Sequence, residues 1–121
     1  DVRDREEGAA GGNSRAALAL EVIVHETRKY IGAYTAILGG LDGLVFTGGI
    51  GENSTGVREL ICQDLGCLGI QLDLAKNKIC GEEGIISRDS SPAKVLVVLA
   101  NEELVIARET ARLLSEGRPA A

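Results

Sequence analysis

Phe46-Thr47-Gly48-Gly49-Ile50-Gly51-Glu52-Asn53-Ser54 carries the strongest chemical signal in the sequence. It follows an apolar run, Gly43-Leu44-Val45-Phe46, and precedes a stretch of helical periodicity over 57–65. A strand, a glycine turn and a helix start together form a site for a phosphate or a nucleotide. Glycine lets the main chain approach the ligand with no side chain in the way, and the first amides of a helix point at whatever anion is bound. Three glycines within 48–51 exceed what a strand-to-helix turn requires, although a purely structural turn remains the plain alternative.

A second ligand reading stands beside the first. Gly49-Ile50-Gly51 after a strand, with Asp73 roughly twenty residues further on, matches part of a dinucleotide-binding fingerprint. Against it, Ser54 occupies the third glycine position and Glu52 puts a negative charge where a pyrophosphate would sit. Asp73 reads equally well as a solvated strand end. Asn101-Glu102-Glu103 also has two readings. Asn at a cap with acids in the first turn is ordinary helix chemistry. At the carboxyl edge of a sheet, one of these carboxylates can instead help hold Mg²⁺ beside phosphates. Asp1-Val2-Arg3-Asp4 is a charge cluster that by itself reads as solvated surface, and His25 reads as a boundary residue with no chemical role.

These residues need a scaffold, and the periodicities supply one. Residues 1–7 are dense in charge, and Gly8-Ala9-Ala10-Gly11-Gly12 is a flexible break. Asn13 or Ser14 caps a long helix over 15–38, with Leu18, Val22, Tyr30, Tyr34, Ile37 and Leu38 on its apolar face and Gly39-Gly40 ending it. Residues 44–47 read as a fully buried strand and 54–65 as a helix. A strand over 68–72 is weakened by Gly69, a polar connection with room for a helical turn covers 73–80, and 85–87 is a short strand. Residues 95–99, β-branched and preceded by Pro92, give the clearest strand. Asn101 caps a last helix over 102–115, closed by Gly117 and Pro119. Interleaved strands and helices predict a layered α/β arrangement within a single domain, 1–121.

Composition removes several function classes. With 121 residues and 45% hydrophobic side chains the chain has the size and content of one domain with a real core. A net charge of −5 and only three aromatics disfavour a nucleic-acid partner, which needs a positive surface and stacking platforms. No apolar run is long enough to span a bilayer. Cys62, Cys67 and Cys80 are odd in number, at spacings of neither a zinc set nor a CxxC pair. Cys62 and Cys67 are expected as small buried hydrophobes and Cys80, beside Gly81, as the more exposed thiol, in a reducing compartment. The sole histidine excludes a His-rich metal site. A chain that opens on Asp1 and contains no Met is expected to be a piece of a longer polypeptide.

Together these segments resemble the C-terminal part of the acetate kinase (acetokinase) family. Asp1-Val2-Arg3-Asp4, Arg28-Lys29-Tyr30-Ile31-Gly32-Ala33-Tyr34, Val45 through the glycine segment to Ser54, Lys76-Asn77-Lys78 and Asn101-Glu102-Glu103-Leu104 occur in the family's order. The long glycine segment is the specific one. The resemblance implies a layered, RNase H-like α/β domain of the acetate and sugar kinase, heat-shock protein and actin superfamily, incomplete at its N-terminal side. It implies transfer of the γ-phosphoryl of ATP to acetate, giving acetyl phosphate and ADP with Mg²⁺, by a cytoplasmic homodimer. Asp1, Val2, Arg3, Gly49, Ile50, Gly51, Glu52 and Asn53 are then nucleotide contacts, and Glu102 belongs to the Mg²⁺ site. The family's acyl-site arginines, its transition-state histidine and its His-Leu-Gly-Asn-Gly phosphate segment fall before Asp1, and His25 inherits none of these roles. No catalytic residue is therefore expected in 1–121, and the isolated chain is expected to be inactive. Ala100 departs from the hydroxyl residue of many relatives, which bears on local hydrogen bonding only. Two other functions stay open: a dinucleotide-binding domain of an oxidoreductase, and a non-catalytic truncated module.

Overall fold

Two short parallel strands set the frame on which the glycine segment is mounted. The computed structural model describes residues 11, 12 and 14–116. Among them the elements run α1 (Ser14–Leu38), β1 (Gly43–Phe46), α2 (Gly48–Asn53), α3 (Thr55–Cys62), 3₁₀ turns at Leu65–Leu68 and Lys76–Lys78, β2 (Gly84–Ile85), β3 (Lys94–Val97) and α4 (Glu102–Glu116). Strand β3 is central, pairing in parallel with β1 and antiparallel with β2. Gly43 lies opposite Lys94 and Phe46 opposite Val97, so both parallel strands end at the same edge.

Side chains alternate between the faces of a strand, and the register sorts them cleanly. Phe46, Val95 and Val97 belong to the buried core with Val57, Ile61 and Cys62 of α3 and with Leu65, Ile70, Ile86 and Ala93. Val45, Leu96 and Ile85 share the opposite face, because Val45 and Ile85 both pair with Leu96. That face is open: Val45 and Ile85 are 52% and 54% exposed. The expectation of a fully buried strand over 44–47 is thus corrected to one covered face and one bare apolar face.

Helix α1 docks on the side not expected from its periodicity. Leu20, Ile23, Val24 and Ile31 pack against the core, whereas Leu18, Val22, Tyr30, Tyr34, Ile37 and Leu38 are exposed. The helix carries two apolar stripes, and the inward one is interrupted by Thr27 and Thr35. Those hydroxyls donate to the carbonyls of Ile23 (2.8 Å) and Ile31 (2.7 Å), which satisfies them within the helix and hides their polarity. At its end, Gly40 N–H bonds Thr35 O and Gly39 N–H bonds Ala36 O, the paired closure that stops a helix.

The segment 68–72 is not a strand. It leaves the first 3₁₀ turn through Gly69 at φ +79°, and only Ile70 and Leu72 make single bridges, to Ala93 and Ser87. Cys67 is exposed, contrary to expectation, since it sits on the outward side of that turn, while Cys62 is buried and Cys80 exposed. Burial pushes the Cys62 thiol up to about 12, so it stays protonated and inert. Helix α4 is exposed along its whole length, with Leu104, Val105, Ile106, Leu113 and Leu114 uncovered. No helix among the described residues is long and apolar enough to cross a membrane.

Candidate functional site

Phe46 ends β1, and Thr47 continues in extended backbone at φ −150° and ψ 169°. Gly48 then turns at φ +74°, a conformation that disfavours any residue with a Cβ. The glycine segment is therefore not a loop. Residues Gly48–Asn53 coil into their own six-residue helix, α2, separated from α3 by Ser54. Gly51 lets α2 lie on the strand end, because a Cβ there would meet the Phe46 carbonyl carbon at 3.2 Å. Ser54 closes one helix and opens the next: its N–H bonds Ile50 O, and its Oγ accepts from Val57 N–H at 3.2 Å.

What fixes α2 in place is a side chain that sequence reasoning missed. Arg58, on α3, is 0% exposed. Its Nη1 donates to Gly51 O (2.8 Å) and Glu52 O (3.1 Å), at the C-terminal end of α2. Its Nη2 donates to the carbonyls of Asn77 (2.8 Å) and Ile79 (2.6 Å), and its Nε to Asn77 Oδ1 (2.8 Å). Every guanidinium N–H is used, with the cation placed where a helix end is negative. Burial pulls the Arg58 guanidinium below its ordinary range, while the nearby Cys80 and Cys62 thiols act in the opposite direction. Asn77 Nδ2 reaches back to Thr55 O at 2.9 Å, so α2, α3 and the second 3₁₀ turn form one block. One signal for Arg58 was available: it shares the helical stripe of Val57, Ile61, Cys62 and Leu65.

The other end of α2 faces a polar cleft of about 350 Å³. Gly48, Gly49 and Glu52 line one side, and Ala100, Asn101, Glu102 and Glu103 the other. The cleft sits past the carboxyl ends of β1 and β3, where α/β sheets take ligands. Asn101 caps α4 as expected, its Oδ1 accepting from Leu104 N–H at 3.3 Å. The Glu102 and Glu103 carboxylates have no partner among the described residues and stand in the first turn of α4. The cleft is strongly acidic, and no cluster of three or more His, Cys, Asp or Glu able to hold a metal occurs among the described residues. One or two carboxylates are what a hydrated hard cation needs from a protein.

Of the residues singled out from sequence, Gly49, Glu52 and Glu102 meet at this cleft. Gly51 is a packing glycine, Ile50 is partly exposed, and Asn53 turns its Nδ2 back to Gly49 O at 2.9 Å. Asp1, Val2 and Arg3 lie outside the described residues. Asp73 does not face the cleft residues: its Oδ1 accepts from Ala75 N–H (2.9 Å) and Lys76 N–H (3.1 Å), holding the start of a turn. A larger groove of about 1140 Å³ runs between α1 and Leu60, Leu65 and Leu68, and most of its lining is aliphatic. Its charged lining, including Glu21, Glu26, Arg28 and Lys29, all comes from α1, and no glycine turn stands opposite it among the described residues.

The acetokinase family model matches residues 1–108. The chain belongs to the acetokinase family. It is 52% identical over 114 residues to the acetate kinase of Halothermothrix orenii, covering 94% of this chain and 29% of that protein. Among solved structures it matches Porphyromonas gingivalis acetate kinase with a TM-score of 0.85 at 43% identity, over 94% of this chain and 29% of the other. A propionate kinase from Francisella tularensis matches with a TM-score of 0.79 at 40% identity, over 90% and 28%. The acetokinase chain thus has the α/β fold expected of it and spans under a third of the length of these relatives. Membership also favours the kinase reading over the dinucleotide-binding one, in keeping with the local role of Asp73.

Proposed function

We propose that this chain is the nucleotide-facing C-terminal portion of an ATP-dependent acetate kinase, which transfers the γ-phosphoryl of ATP to acetate and yields acetyl phosphate and ADP. The observation that carries the reading is the meeting of the family's glycine segment and Asn101-Glu102-Glu103 across one polar cleft. In this reading Gly49 and Ile50 offer first-turn amides of α2 to the phosphates. Asp1, Val2 and Arg3 complete the nucleotide contacts, Arg3 as the polar one.

The donor set fits Mg²⁺. Glu102 would hold it, as an exposed carboxylate with no competing partner among the described residues and opposite the glycine turn. Bound there, the ion would supply positive charge to offset that of the nucleotide phosphates. This chain's own part is to position. Arg58 keeps α2 on the end of β1, and the cap at Asn101 points the first turn of α4 into the cleft. Phosphoryl transfer depends on such placement more than on covalent chemistry by the protein. The groups that bind the acyl acceptor and stabilise the transferring phosphoryl belong to the remaining length of the kinase. The choice among acetate, propionate and longer acids belongs there too. The bare sheet face and the outer stripe of α1 suit burial by that remainder and by a second copy in a homodimer. Three free thiols suit a reducing cytoplasm.

The isolated 121-residue chain should form no acetyl phosphate, whereas the full-length kinase containing it should bind ATP-Mg²⁺ in preference to NADH. Displacement of a fluorescent ATP analogue from the full-length protein tests this. Displacement by NADH instead would restore the oxidoreductase reading, and no binding of the analogue at all would favour a non-catalytic module.

A further inference from the structure

Glu52 joins the two sides of the cleft. Its Oε1 accepts from Gly48 N–H at 2.8 Å and from Ala100 N–H at 2.6 Å, groups 52 positions apart in the chain that this carboxylate joins. The connection between β3 and α4 has little else to fix it. Val98 N–H bonds Phe46 O (2.9 Å), Leu99 N–H bonds Glu83 Oε1 (3.1 Å), and Ala100 N–H bonds Glu52. Two of these three successive amides are held by carboxylates from other elements. Glu52 is itself anchored through its main chain, whose carbonyl accepts from Arg58 Nη1 and from Gly81 N–H at 3.1 Å each. A rigid line thus runs from the buried guanidinium through Glu52 to a point two residues before Glu102.

We propose that Glu52 is a positioning residue: its carboxylate sets the spacing between the glycine turn and the Glu102 carboxylate. The inference rests on the kinase reading above for its consequence, and on the two hydrogen bonds for its geometry. Both N–H groups it takes are withheld from a phosphate, so the part these two bonds give Glu52 is to brace the cleft. Because the bond at position 100 uses the main chain, Ala100 serves as well as a hydroxyl residue would. The role requires an acceptor at the right reach, with charge secondary. Asp keeps the charge but is one methylene short of spanning both amides, while Gln keeps the reach and loses the charge.

The test compares Glu52→Ala, Glu52→Asp and Glu52→Gln in the full-length kinase. Two readouts are needed: the Mg²⁺ concentration for half-maximal activity with kcat/KM for ATP, and hydrogen exchange of segments containing Gly48 and Ala100. Misplacement on the ångström scale costs on the order of 10–100-fold in rate. Glu52→Ala and Glu52→Asp are expected to lose about that much kcat/KM for ATP, to need more Mg²⁺, and to lose exchange protection at both segments together. Glu52→Gln is expected to recover most of each. The proposal is overturned if Asp behaves like wild type while Gln behaves like Ala, since charge and not reach would then matter. It is also overturned if exchange at the two segments is unaltered in Glu52→Ala. Should Glu52→Ala fail to fold, the Asp and Gln variants decide between the same outcomes. Exchange changes as expected in a protein whose wild type makes no acyl phosphate from ATP would support the brace and defeat the kinase reading, which separates the two failures.

Discussion

Replacing Arg58 with methionine is expected to destabilise the folded chain by about 3–5 kcal/mol, the scale for removing one partner of a buried charged network. Methionine fills much of the volume, so the loss is one of hydrogen bonds and not of packing. Four carbonyl oxygens, on Gly51, Glu52, Asn77 and Ile79, and the Asn77 amide oxygen all accept from this guanidinium. Glu52 O keeps a second donor in Gly81 N–H, but the others lose the partner that burial demands. Lysine retains the charge but brings three donors on one nitrogen in place of a planar fork, so Arg58→Lys should recover less than half of the loss. Urea unfolding followed by circular dichroism measures both. A loss under about 1 kcal/mol for Arg58→Met would mean that α2 is held mainly by its other contacts, with Phe46, Gly81 N–H and Ala100 N–H.

The second large effect lies across the cleft. Glu102→Gln in the full-length kinase is expected to lower kcat by about 100-fold or more and to raise the Mg²⁺ requirement, because charge stabilisation by a bound cation is worth several kcal/mol. Glu103→Gln is the internal control. Glu103 lines the same cleft and sits in the same first turn, so its generic contribution is to the helix end, about 0.3–1 kcal/mol. Its substitution should change kcat less than about fivefold. Steady-state rates across a magnesium titration separate the two. Equal losses at both positions would indicate that the acidic helix start acts as a field and not through one ligand carboxylate.

Local signals were the readable part of this sequence. The ends of α1, the strand that became β3, the Asn101 cap and the glycine segment each announce themselves within a few residues, through a glycine pair, a β-branched run or a capping side chain. Features decided by partners distant in sequence were not readable. Helix α1 carries two apolar stripes, and only the docked α3 and core decide that Leu20, Ile23, Val24 and Ile31 turn inward. A strand run such as Gly43–Phe46 looks buried on both faces because both are apolar, yet one face is bare over the described residues. Arg58 was overlooked because a charged residue on a helix is normally placed in solvent. Its burial is possible only because carbonyls from two segments distant in sequence, Gly51-Glu52 and 77–79, converge on it. For Glu52 the sequence offered a misplaced charge or a nucleotide contact but no link across the cleft, since the amide of Ala100 that it meets lies 48 positions away.

The proposal that nucleotide phosphates enter the cleft between the glycine turn and the start of α4 is tested most directly by hydrogen exchange of the full-length kinase with and without ADP-Mg²⁺. The expected result is added protection of peptides covering 46–54 and 98–106, with peptides along 14–30, which border the larger aliphatic groove, unchanged. Protection confined to 14–30, or none at either side of the cleft under saturating nucleotide, would contradict it.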